Sequence, residues 1–78
     1  MKPAQLALEF LLAKEQFCEE QDLFIISYII PIVSLLDQSE NFNNELKKMV
    51  HNNIEQDKLN DEDITSVLLL VDQLIQLT

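Results

Sequence analysis

The side chains that could do chemistry in this 78-residue chain are few and poorly assembled. His51 is the single histidine and stands four residues before Glu55. That spacing shares one helical face, the beginning of a zinc site, but two ligands do not complete one. The Glu-x-x-His pairs of a di-iron bundle are absent. Asp57, Asp61, Glu62 and Asp63 outline a calcium loop only faintly, without alternating acids, a central glycine or a distal glutamate. Cys18 has no second cysteine to pair with and no neighbouring base to activate it, which suits a small core residue. One histidine without a helper motif nominates no Ser/His/Asp combination. The chain is therefore expected to have no catalytic, cofactor-binding or metal-binding residue and not to be an enzyme.

Two absences narrow the function further. The chain contains no glycine and no arginine. Glycine is the default where a backbone takes φ > 0 or approaches a phosphate, so phosphate-cradling loops and dinucleotide fingerprints are excluded. Arginine is the preferred fork for phosphate and carboxylate. The net charge of −9, from 14 acidic residues against five lysines, repels nucleic acid and anionic lipid. The expected partners are proteins, basic ones among them. Lys47, Lys48 and His51 form the one basic cluster, placed to complement a helix C-terminus. A lone cysteine and no visible signal peptide fit the cytoplasm. The uncharged run Leu23–Leu36 is shorter than the roughly 20 residues a membrane span needs.

These residues must be positioned by helices. Pro3 suits a first turn, and Leu6, Phe10, Ala13 and Phe17 step by four, three and four, predicting a helix over 3–20 with that face inward. Leu8, Leu11 and Leu12 widen it. The run Leu23–Asp37 is apolar all round and predicts a central helix, kinked or restarted near Pro31. After the polar break Asp37–Asn41, residues Phe42, Leu46, Met49, Val50 and Ile54 mark a third helix, and Glu55–Lys58 reads as a linker. Asn60 caps a fourth, with Asp61, Glu62 and Asp63 at its positive end and Leu59 placed to staple to Ile64. Its predicted core stripe is Ile64, Val67, Val71 and Leu74, with Leu68 and Ile75 alongside.

The expected fold is all-α, a small bundle of about four helices in a single domain over 1–78, associated as a dimer. A core this small rarely supplies more than about 3–5 kcal/mol unaided. Leu69, Leu70 and Leu77 lie off the last stripe and require a second surface to bury them. They are the candidate apolar partner-binding residues. Glu15, Glu19, Glu20 and Asp22, acidic at helical spacing, are the candidate rim.

Two family resemblances bear on function. Glu19-Glu20 before an apolar helix, Asn43-Asn44 opening another, Val50-His51-Asn52 with Glu55 beyond, and Asp63-Ile64 opening a leucine-rich helix that ends at Thr78 together resemble the small enterobacterial biofilm and acid-resistance regulators of the YmgB/AriR type. The likeness covers about three quarters of the chain, requires gaps, and lacks that family's glycine at the first interhelical turn. It implies a dimeric helical regulator acting through protein contacts. Size, acidity and Asp61-Glu62-Asp63-Ile64-Thr65-Ser66-Val67 also look like an acyl carrier protein. The matching stretch Glu40-Asn41-Phe42 has no hydroxyl for phosphopantetheine, and nearby Ser39 sits in a different context. The leading expectation is a small acidic protein–protein interaction module, a regulator or adaptor acting as a homodimer. The alternatives are an inhibitory binder of a basic target (antitoxin, immunity protein or phage-encoded inhibitor) and an acidic secretion chaperone.

Overall fold

A computed structural model describes residues 2–77 as four α-helices: α1 Pro3–Glu15, α2 Glu20–Leu35, α3 Phe42–Asp57 and α4 Asp61–Leu77. Helices α2 and α4 form a central pair, each packed against both α1 and α3, while α1 and α3 meet only marginally. The result is a thin body, with Cα extents of 32 × 28 × 18 Å. Among the described residues, no helix is long and apolar enough to cross a membrane.

The core draws on every helix. It comprises Ala4, Ala7 and Leu11 of α1, Ile25, Ile26, Ile29, Ile32 and Val33 of α2, and Leu36 just after it. Phe42, Leu46, Val50 and Ile54 come from α3, and Val67, Leu70, Val71 and Leu74 from α4. Among the described residues no polar or charged side chain is buried. Burial of each larger aliphatic side chain is worth roughly 1.5–3 kcal/mol, and this holds the fold together against chain entropy.

Helix α3 buries the predicted residues, with Met49 half-buried beside them. Asn60 caps α4, its Oδ1 accepting the Asp63 backbone N–H at 2.8 Å. Helix α2 runs unbroken through Pro31. Proline has no N–H for the Ser27 carbonyl, but both residues face solvent, so that group is open to water.

Four expectations are corrected. Helix α1 ends at Glu15, not at 20. Its core face is Ala4, Ala7 and Leu11, whereas Leu6, Ala13 and Phe17 of the predicted face are exposed and Phe10 is half-buried. Small residues let α1 lie close against α2, which the stripe of larger side chains would prevent. Residues Glu55–Asp57 continue α3 instead of forming a linker. Leu70 is a core residue, three after Val67 and four before Leu74, so it shares their face.

The corners are made without glycine. The first two tighten into i→i+3 bonds: Gln16 and Phe17 donate to the Ala13 and Lys14 carbonyls at 3.3 and 3.1 Å, and Leu36 and Ser39 donate to Val33 and Leu36, both at 3.0 Å. At the third, Lys58 takes the left-handed conformation (φ 52°, ψ 50°), and its N–H donates to the Ile54 carbonyl at 3.0 Å. Glycine normally occupies this cap because a Cβ there crowds the carbonyl. Lys58→Gly is therefore expected to be more stable than the charge-matched Lys58→Ala by about 1 kcal/mol. Urea denaturation measures the difference, and an alanine variant equal or superior to glycine would contradict the left-handed cap.

Candidate partner-binding site

The surface residues that could act on another molecule gather on two sides of α2. Its inward residues Ile25 and Ile26 and the α4 residue Leu70 are buried, and they floor a groove between the two helices. The groove consists of two adjoining depressions of about 180 and 450 Å³ that share Asp22, Ile25 and Ser66. Leu69 (59% exposed) and Phe24 (51%) give it apolar walls. Its α4 side repeats at helical spacing: Glu62, Ser66, Leu69 with Leu70, then Gln73.

Charge is distributed unevenly along it. Asp22, Glu62 and Asp63 border the end where α2 and α4 begin. Lys14 borders the other end, its Nζ donating to Gln73 Oε1 at 3.5 Å and lying 5.5 Å from the centre of the Phe10 ring. The three carboxylates sit in the first turns of their helices, where the dipole favours negative charge.

The outward side of α2 is different in kind. Leu23, Phe24, Ser27, Pro31, Ser34 and Leu35 are exposed along it, Leu35 at 74%, and no charged residue occurs between Leu23 and Leu36. The Phe24 and Tyr28 rings lie 6.2 Å apart, centre to centre, at 38°. The Tyr28 hydroxyl donates to Asp57 Oδ2 at 2.7 Å, tying α2 to the end of α3.

Of the sequence-predicted site residues, the groove brings together Asp22, Leu69 and Leu70, the last as floor. Glu19 and Glu20 are exposed at the start of α2, and Glu15 closes α1 half-buried; none of the three lines the groove. Leu77 is exposed beyond Gln73, at the far end of α4. Sequence reasoning missed Phe24, Glu62, Asp63, Ser66 and Gln73 as groove residues. The stripe 62–66–69–73 was legible as a helical face, but nothing in the sequence told which helix it would meet.

Other chemistry-bearing residues stay dispersed. His51 is exposed on α3, beside a depression of about 210 Å³ shared with Lys47 and Asp72. Cys18 is half-buried, its Sγ donating to the Glu15 carbonyl at 3.4 Å. The Ser39 hydroxyl donates to the Glu45 carboxylate. Among the described residues, no three His, Cys, Asp or Glu side chains are grouped to hold a metal ion. No protein-family model matches the chain, and neither a characterised protein nor a solved structure does.

Tyr28 is the single tyrosine and so reports on its surroundings without interference. Burial, then the hydrogen bond to Asp57, then the charge of Asp57 push its hydroxyl up to about 12 from an ordinary 10.0. The folded state thus holds the phenolic proton more tightly than the unfolded chain. The stability this contributes is present in full below pH 10 and is lost as pH rises through about 12. An ultraviolet phenolate titration should show the raised midpoint, and Asp57→Asn should lower it; an ordinary midpoint in the folded protein would exclude the Tyr28–Asp57 contact.

Proposed function

We propose that this chain is a small non-enzymatic protein-interaction module, a regulator or adaptor that works in the cytoplasm as a homodimer. The observation that carries the reading is the uncharged, exposed apolar face of α2 in a molecule otherwise strongly acidic. Two copies of net charge −9 repel wherever carboxylates meet. The exposed face from Leu23 to Leu35 lets them meet without burying a like charge, so the second copy is the occupant it fits best. The resemblance to the biofilm and acid-resistance regulators implies a dimer as well.

The acidic groove opens between α2 and α4 and shares only Phe24 with that face, so most of it would stay open in such a dimer. It also favours a second reading, an inhibitory binder whose target is basic. Sedimentation distinguishes the dimer from a monomer directly. The expected result is a dimer at tens of micromolar, and Leu35→Glu, which places a carboxylate at the most exposed leucine of the face, should give a folded monomer. A compact wild-type monomer at high micromolar concentration would refute the homodimer.

A further inference from the structure

We propose that the groove between α2 and α4 docks a basic amphipathic helix from a partner protein. The inference rests on the interaction-module reading and adds the chemistry of the partner, which the homodimer face does not specify.

The shape favours a helix. The lining residues of α4 run from Glu62 to Gln73, about 16 Å along its axis at 1.5 Å per residue. That length accepts about three turns of a second helix. The floor of Ile25, Ile26 and Leu70 is already desolvated, and the walls of Leu69 and Phe24 remain in water. Leu69 lines one depression and Phe24 the other, and a helix that lays two or three apolar side chains along the groove recovers burial at both, the usual gain in groove recognition. An extended strand would leave its backbone N–H and C=O groups unpaired here, since two helices offer no sheet edge.

The charge selects the sign of the partner. Asp22, Glu62 and Asp63 border the groove against one cation, Lys14, which is already engaged by Gln73 and the Phe10 ring. Lysine or arginine flanking the partner's apolar stripe would meet the three carboxylates. An acidic or neutral helix would leave them without compensation. A second copy of this chain is a poor occupant for the same reason, and phosphate-bearing surfaces of nucleic acid or lipid are repelled.

The test uses a dye-labelled synthetic amphipathic peptide of about four helical turns, with leucines at i, i+4 and i+7 and lysines on both flanks. Two companions are matched to it, one with glutamate for lysine and one with serine for leucine. Fluorescence anisotropy should show binding of the first peptide only. Leu69→Gln should weaken that binding about tenfold, the value of one lost apolar contact. Glu62→Gln with Asp63→Asn should also weaken it about tenfold at low salt and leave little difference at about 0.5 M salt. All these positions are exposed or half-buried, and thermal melts monitored by circular dichroism confirm that the variants fold. Three results would overturn the proposal: no binding of the leucine–lysine peptide, a serine-matched peptide that binds as tightly as the leucine peptide, which is non-specific attraction to an acidic surface, or an affinity indifferent to Leu69. The Leu35→Glu variant keeps the two readings apart, because Leu35 is not among the groove-lining residues. A monomeric wild type that still binds the peptide through Leu69 removes the homodimer and leaves the groove assignment standing. A dimer that ignores the peptide does the reverse.

Discussion

Everything in this molecule depends on covering one face of α2. Isoleucine and valine lose rotamer freedom in a helix, and a segment as rich in them as Ile25, Ile26, Ile29, Ile32 and Val33 has little reason to be helical by itself. Tertiary burial overrides that preference. The alanines of α1 let its backbone come close on one side, and the Val67–Leu74 stripe of α4 closes the other. Once the inward face is fixed, the 3.6-residue repeat fixes everything else on α2. Asp22 and Phe24 border the groove, Tyr28 reaches Asp57, and Leu35 is left in solvent.

How much of this was legible depends on how two-sided each helix is. Helix α3 carries polar residues on all but one face, so Phe42, Leu46, Val50 and Ile54 could be read as its core directly. The Asn60 cap was legible because a side chain makes it. Helix α1 has apolar residues in several directions, and periodicity alone admits both the Leu6–Phe10–Ala13–Phe17 stripe and the Ala4–Ala7–Leu11 stripe. The larger residues suggested the first; packing selected the second, because helix–helix approach rewards small side chains as well as large ones. The first corner was illegible for another reason, whereas the polar break Asp37–Asn41 marked the second. The end of α1 is closed by i→i+3 backbone bonds that almost any residue can make, so no glycine or proline marks it.

For the site, the sequence could say which residues were surplus to one core but not where they would meet. Leu69 and Asp22 stood out singly; that they share a groove depends on α2 and α4 starting at the same place in the fold, a tertiary fact. Leu70 lies on the Val67–Leu74 side of the Ile64–Val67–Val71–Leu74 stripe, and the buried face of α4 extends that way, while Leu68 and Ile75 on the other flank are only half-buried.

The coincidence of those two helix starts has a consequence for the acidity of the chain. Asp22, Glu62 and Asp63 each lie in a first helical turn, where a carboxylate stabilises its own helix by roughly 0.3–1 kcal/mol through the dipole. In a helix standing alone that would account for them fully. Here α2 and α4 open side by side, so three carboxylates placed for local stability also face one shared depression and set its sign. The dipoles only partly offset this charge, because each helix end carries about half an elementary charge against full negative charges beside it. A residual negative field therefore follows from ordinary helix-end chemistry as soon as the topology brings two helix starts together. The depression stays open to solvent, with Leu69 and Phe24 exposed along it.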